Sequence, residues 1–188
     1  RDYKVTGVQT CALPISLELG IKEGKQEIEI IKAIDQPTFQ NTIEGLEQCG
    51  RLVHKVAEIF FNLNSAETSE EMQMLAQELS PMLTAYGNDI SMDEDLFAQI
   101  KKVYETTDVA NLSAEQNTLL QKTYKGFVRS GANLDEEDKS TLKELNTELS
   151  KLTLKFGENV LKSTNSYELH IRSEEHTSEL QSPCNLVC

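Results

Sequence analysis

The chain has 188 residues, 38% of them hydrophobic, and its 31 acidic residues outnumber its 18 basic ones to give a net charge of −13. A chain this acidic repels a phosphate backbone, which argues against nucleic acid and against an anionic membrane surface as partners. Its apolar runs all fall short of the roughly 20 residues that a bilayer-spanning helix needs, so no membrane partner is expected.

The two ends of the chain are predicted to be foreign to the protein. Residues 5–15 read VTGVQTCALPI and residues 172–182 read RSEEHTSELQS. The second peptide resembles the translation of a common sequencing-library adapter, and the first resembles the translation of the complementary strand of that adapter. We therefore predict that residues 1–16 and 172–188 are adapter-derived and have no fixed place in the fold, which leaves residues 17–171 as the natural region.

Setting these segments aside changes how the cysteines and charges are interpreted. Three of the four cysteines lie in them, so Cys49 alone remains and a disulfide framework is excluded. The natural region keeps 15 basic and 27 acidic residues, a net charge of −12. Its length, about 155 residues, suits one domain or a piece of a larger one. A cytoplasmic location is expected, although the replaced N-terminus leaves a secretory signal open.

Two helices are predicted at the start of the natural region. The apolar spacing predicts the first over Leu17–Ile34, where Gly20 and Gly24 weaken it. Pro37 ends that segment, and Thr38 is the expected N-cap of a second helix that runs to about Asn62. The apolar stripe of the second helix consists of Phe39, Ile43, Leu46, Cys49, Val53, Val56 and Phe60.

Cys49 and His54 lie on or beside this stripe, and packing explains both. Cys49 is interpreted as a small core residue and not as a reactive thiol. His54 is interpreted as a packed or half-exposed histidine because Glu58 is the one residue that could act as a second ligand a turn away.

The third helix is predicted to open at a T-x-x-E capping box made by Thr68 and Glu71. Its apolar face consists of Met72, Leu75, Leu79, Leu83 and Tyr86. Pro81 removes one backbone hydrogen bond and should kink or divide this helix. The Gly87-Asn88-Asp89 sequence is expected to close it.

Two shorter helices follow. Asp93 is the predicted cap of the fourth helix, which turns Leu96, Phe97, Ile100, Val103 and Tyr104 inward. Ser113 and Gln116 form a second capping box before a fifth helix that reaches Val128. Ser130-Gly131 ends that helix where glycine tolerates a left-handed cap.

The longest predicted helix begins after Asp135, whose carboxylate can cap it. Its main apolar stripe, the expected packing face, consists of Leu142, Leu145, Leu149, Leu152, Phe156 and Val160, with Leu154 and Leu161 flanking it. Residues 166–171, SYELHI, alternate in polarity and predict a strand that has no partner. We thus predict an all-α fold, a bundle of about six helices with one orphan strand near the C-terminus.

Four stretches carry a resemblance to a known family. They are PTFQNTIEGLEQCGRLVHKV at 37–56, IFFNLNSAETSEEMQ at 59–73, YKGFVRSGANLDEEDK at 124–139 and LKELNTELSKLTLKFGENVL at 142–161. In order and content they resemble the N-terminal helical region of the thimet-oligopeptidase family of zinc metallopeptidases, in its bacterial peptidyl-dipeptidase and oligopeptidase A branch. The resemblance runs from about Ile21 to Ile171.

This resemblance implies a zinc chemistry whose residues the chain lacks. The family's active site rests on H-E-x-x-H, in which two histidines hold Zn²⁺ and the glutamate acts on the bound water. Neither His54 nor His170 is followed by a glutamate, and nucleotide-binding and nucleophile motifs are also absent. We therefore expect no catalytic, cofactor-binding or metal-binding residue in this chain, zinc in the full-length parent, and no activity in the fragment alone.

The resemblance also implies what this region does in the family. In the family these helices wall a channel that admits short peptides, so the expected partners are short peptide substrates and the missing catalytic remainder of the same chain. The fragment is accordingly expected to be structurally incomplete. The alternative is a freestanding acidic helical module that binds a protein partner through an apolar groove without catalysis.

Overall fold

The computed structural model describes residues 12–168, and α-helices account for most of them. They are α1 (Ala12–Lys32), α2 (Gly45–Gln48), α3 (Arg51–Ala66), α4 (Glu70–Ser91), α5 (Glu94–Thr106), α6 (Ala114–Arg129) and α7 (Glu136–Asn165). A π-helix over Phe39–Glu44 precedes α2, and a 3₁₀ turn over Val109–Asn111 precedes α6. Six of the helices in these residues are long and none of the residues is in a strand, which confirms the all-α class.

The chain divides into two compact units, one ending at Leu154 and the other starting at Lys155. All the helices up to α6 and most of α7 belong to the first unit. In the second unit the described residues form the end of α7 and a short tail, where Phe156, Val160 and Tyr167 are exposed. Residues 166–168 of the predicted strand are turn and coil, and residues 169–171 lie outside the described part of the chain.

Two clusters of buried side chains hold the first unit together, and α1 contributes to both. The first cluster joins α1, the π-helix, α5 and α6 through Ile28, Ile31, Phe39, Ile43, Leu96, Ile100, Val103 and Leu120. The second joins α1, α3 and α4 through Leu17, Val53, Phe60, Leu75, Ala76, Leu79 and Tyr86. Each of their leucine, isoleucine, valine and phenylalanine side chains contributes roughly 1.5–3 kcal/mol by leaving water. The inward faces predicted for the second, third and fourth helices supply most of these residues.

Side chains cap the helix starts where the sequence predicts it in four cases out of five. The oxygens of Thr38, Ser113, Asp93 and Asp135 each accept from the backbone N–H three residues later. The box predicted for the third helix is displaced by one residue, because Ser69 accepts from the Met72 N–H and the Thr68 hydroxyl donates to Asn64 instead.

The second predicted helix is not continuous, which corrects the sequence interpretation. The backbone leaves the helical region at Cys49 and turns at Gly50, whose φ of 67° is left-handed. Glycine adopts this conformation without steric cost, and the Glu27 carboxylate of α1 accepts from the Gly50 N–H at 2.8 Å. The predicted helix is therefore split into the π-helix with α2, and α3.

Helix α4 also departs from its prediction. It continues through Pro81 without being divided, and it does not close at Gly87-Asn88-Asp89 but runs on to Ser91. The side chains expected to end it bind other helices instead. The Asn88 Oδ1 accepts from Asn146 of α7 at 2.8 Å, and Asp89 pairs with Lys25 of α1 at 2.8 Å.

The start of α1 lies within a segment that the sequence predicts to have no fixed place in the fold. Residues 12–16 form the first turns of α1, and Leu13 packs against the second cluster one turn before the buried Leu17. Proline is tolerated in a first turn, so Pro14 does not prevent this. The expectation that residues 12–16 have no fixed place in the fold is thus wrong. Residues 1–11 and 169–188 lie outside the described residues, and the adapter origin of residues 1–16 and 172–188 stays a prediction.

The orientation of α7 contradicts the expectation that its main stripe packs inward. Leu145, Leu149 and Leu152 are 57%, 61% and 55% exposed. Leu142 and Leu154 are half-buried, and Leu154 packs against the second cluster. Polar contacts fix this rotation, since Asn146 binds Asn88 and Lys139 and Lys143 bind acidic residues of neighbouring helices.

Candidate functional site

A small group of titratable side chains, Cys49 and Glu27, lies near the hydroxyl end of Tyr86. Tyr86 projects from α4 toward the point where α1 passes the Cys49-Gly50 turn. A Cβ atom built on Gly24 would lie 2.2 Å from the Tyr86 Oη, and one built on Gly50 would lie 2.7 Å from it. Both positions therefore require glycine, and the hydroxyl end of Tyr86 fills the space that their missing side chains leave.

The Cys49 thiol and the Tyr86 hydroxyl at this junction are held protonated. Burial, with the nearby Glu27 carboxylate, raises the pKa of the Cys49 thiol to about 11. Burial also raises the pKa of the Tyr86 hydroxyl, with smaller contributions from Cys49 and Glu27. The Cys49 Sγ donates to the Gly45 carbonyl oxygen at 3.4 Å. A thiol with this pKa is a poor nucleophile at neutral pH, in agreement with its interpretation as a packing residue.

A second group of charges anchors two helices to the start of α5. The Lys32 ammonium, at the end of α1, lies 2.8 Å from Asp93 and 2.9 Å from Glu29. The Lys139 ammonium of α7, whose side chain is 5% exposed, lies 2.6 Å from Glu94. These hydrogen bonds raise the pKa of both lysines. The consecutive acidic residues at the start of α5 thus hold α1 and α7 in place.

A shallow groove of about 460 Å³ lies along α1. Its lining consists of Glu18, Ile21, Lys22, Lys25, Gln26, Glu29 and Met82. Charges of both signs surround two apolar side chains, and Lys25 is already paired with Asp89. This groove offers contact area for another chain, but its lining has no histidine, cysteine or hydroxyl side chain to act as a nucleophile.

The described residues contain no group of three or more His, Cys, Asp or Glu side chains that could hold a metal ion. His54 is exposed on α3. His170 and the three cysteines of the terminal segments lie outside the described residues. That the chain carries no catalytic, cofactor-binding or metal-binding residue stays a prediction. Among residues 12–168, none of the helices is both long and apolar enough to pass through a membrane.

Sequence reasoning misses the residues that organise these junctions. It interprets Gly20 and Gly24 as weak points of a helix, yet both face α3 or α4 at close range. Their i, i+4 spacing on one helix face was the available signal, because small residues at that spacing allow another backbone to approach. The run Asp93-Glu94-Asp95 was a weaker signal for the lysines that it binds.

Comparison with known proteins identifies relatives of the chain. The chain is 36% identical over 148 residues to a dipeptidyl carboxypeptidase of Escherichia coli, an alignment that covers 78% of the chain and 22% of that protein. The chain belongs to the thimet-oligopeptidase family. It is also 32% identical over 139 residues to a thimet-like oligopeptidase of Dictyostelium discoideum, covering 72% of the chain and 20% of that protein.

A more distant member of this oligopeptidase family aligns over a longer stretch. The chain is 24% identical over 165 residues to oligopeptidase A of Haemophilus influenzae, which covers 88% of the chain and 24% of that protein. No family model matches the chain. The chain thus spans less than a quarter of the length of each of these curated relatives.

Proposed function

We propose that this chain is the N-terminal helical portion of a zinc peptidase and that it forms part of the wall of a channel leading to a catalytic centre in the rest of the polypeptide. The 36% identity to a dipeptidyl carboxypeptidase over 148 residues carries the proposal. The all-helical first unit supports a role as a wall that admits substrate.

The substrates of the full-length protein are short peptides in this proposal. The relatives are named as peptidases that act on dipeptide units or oligopeptides. A helical wall excludes folded proteins by steric hindrance, while an extended peptide enters. The hydrolysis itself is assigned to the remainder, where an H-E-x-x-H helix would hold Zn²⁺ and activate water.

A chimera tests this proposal. Residues 17–168 of this chain replace the matched region of the E. coli dipeptidyl carboxypeptidase, and the release of dipeptides from a short peptide is measured with and without a chelator. We expect chelator-sensitive cleavage of the short peptide and no cleavage of a folded protein that contains the same peptide sequence. The E. coli protein with the region deleted is the control. A chimera that folds but cleaves no short peptide, or that degrades the folded protein, contradicts the proposal.

A freestanding helical interaction module is the second candidate, and the exposed leucines of α7 favour it. Sequencing the source DNA past codon 171 separates the two. A reading frame several hundred residues longer that contains H-E-x-x-H supports the peptidase, whereas a stop codon soon after codon 171 supports the module.

A further inference from the structure

Helix α7 packs with its polar side inward and leaves its apolar side in water. The inward contacts are a hydrogen bond from Asn146 to Asn88 at 2.8 Å and ion pairs made by Lys139 and Lys143. The opposite side carries Leu145, Leu149 and Leu152, each more than half exposed, which we call the outer stripe. A surface helix of a complete domain shows the reverse arrangement, with its apolar stripe toward the core.

The anchors show that this orientation is a stable feature of the first unit. Lys139 is buried with its ammonium 2.6 Å from Glu94, and Leu142 contacts the Gly131 turn that precedes the helix. Turning the outer stripe inward would expose Leu154, which packs on the second cluster, and would break the Asn146–Asn88 bond. The first unit therefore leaves this stripe open to a partner.

We infer that the outer stripe is the surface on which the remainder of the parental polypeptide docks, an inference that rests on the proposed function. The alignment to the E. coli dipeptidyl carboxypeptidase covers 22% of that protein, so more than three quarters of the relative lies outside the alignment. Three leucines at spacings of four and three suit an apolar, helix-lined face of that remainder. The acidic chain, with a net charge of −13, disfavours a second copy of itself as the occupant.

Paired substitutions on α7 separate the outer stripe from the rest of the helix. Leu149→Gln/Leu152→Gln removes two members of the stripe, and Glu148→Gln/Lys151→Gln is the matched control. Both pairs introduce the same residue at the same spacing on exposed positions, and neither changes the net charge. Because all four side chains are exposed in the free chain, both variants should unfold at the same temperature as the unsubstituted protein.

Binding is measured by titrating each 188-residue chain with the E. coli dipeptidyl carboxypeptidase that lacks the matched region. We expect the stripe pair to weaken binding by roughly 100-fold and the control pair to leave it unchanged. Equal binding by the stripe pair overturns the inference, as does a failure of the unsubstituted chain to bind. Sedimentation of the chain alone provides the third outcome. If the unsubstituted chain is a dimer and the stripe variant is a monomer, the occupant is a second copy and the inference is overturned.

These outcomes are distinguishable from a failure of the proposed function. If the chimera cleaves short peptides while the stripe pair binds the remainder normally, the docking surface is wrong and the peptidase assignment stands. If the stripe pair weakens binding while the chimera is inactive on short peptides, the docking surface stands and the assignment of substrate is wrong.

Discussion

The contact between Tyr86 and Gly24 makes a sharp prediction for the substitution Gly24→Ala. The added Cβ would lie 2.2 Å from the Tyr86 Oη, 3.0 Å from its Cζ and 3.3 Å from the Gly50 Cα. Tyr86 is buried and Gly50 lies beside it, so neither neighbour can move away without disturbing α3 or α4. The substitution therefore forces the Tyr86 ring or the neighbouring backbone to shift.

The magnitude follows from two opposing contributions. Alanine is favoured over glycine within a helix by about 1 kcal/mol. Overpacking of a buried site costs typically about 1–3 kcal/mol, and an overlap this deep belongs at the upper end. We expect Gly24→Ala to lower the free energy of unfolding by about 1–2 kcal/mol, which corresponds to a decrease in Tm of roughly 2–8 °C at this size.

Gly87 and Gly126 provide the matched controls. Both lie inside helices, and a Cβ built on either meets no atom within 4 Å. The same Gly→Ala change should therefore stabilise the protein by up to about 1 kcal/mol at these two positions. Opposite signs for the same chemical change isolate the effect of the contact from that of helix propensity.

A double-mutant cycle with Tyr86→Phe identifies the overlapping atom. Removing the hydroxyl takes away the nearest contact, so Gly24→Ala should be less harmful when it is combined with Tyr86→Phe, with a coupling of about 1 kcal/mol. Urea unfolding followed by helical circular dichroism measures all four variants. The reasoning is refuted if Gly24→Ala is as stable as the unsubstituted protein, or if its effect is the same with and without the hydroxyl.

Three further predictions concern charge, thiol chemistry and metal. Lys139→Met should destabilise the protein by about 1 kcal/mol at pH 7. Because the folded state raises the pKa of Lys139, the stabilisation by this lysine is fully present below about pH 10.4 and is lost as the pH rises above it. The unfolding midpoints of the two proteins should therefore converge in strong alkali. With the other cysteines replaced by serine, alkylation of Cys49 should accelerate as the pH rises toward about 11, and a rate that levels off near pH 8.5 would contradict the raised pKa. Zinc titration of the full chain by calorimetry should show no tight one-to-one site; a submicromolar one would show that residues of this chain bind the metal.

Local signals in the sequence were sufficient for most helix starts. A side chain such as that of Asp93 or Ser113 caps a helix through a backbone N–H three residues away, so the contact depends on nearby sequence alone. Thr68 shows the limit of this reasoning, because its neighbour Ser69 can make the same bond and Asn64 attracts the Thr68 hydroxyl. The family was also predictable, because four stretches resemble it in order.

The direction in which α7 faces was not predictable from its apolar period. A stripe of leucines shows that one side of a helix seeks an apolar surface, but not whether that surface belongs to the same folded unit. The deciding contacts of Lys139 and Asn146 connect residues 45 and 58 positions apart in the chain. Residues at such separations carry no periodic signal, and the same holds for Tyr86 and Gly24.

The end of α1 is held by hydrogen bonds from residues much further along the chain. The Gln99 side-chain amide donates to the backbone oxygens of Lys32 and Ile34, and the Lys102 ammonium donates to that of Asp35, across 65 to 67 positions. At synthesis rates of about 5–20 residues per second, roughly 3–13 s separate the appearance of α1 from that of the groups that hold it. During that interval Ile28 and Ile31 of α1 also lack the α5 side chains that complete the first cluster, so the nascent chain exposes part of a surface that chaperones can bind.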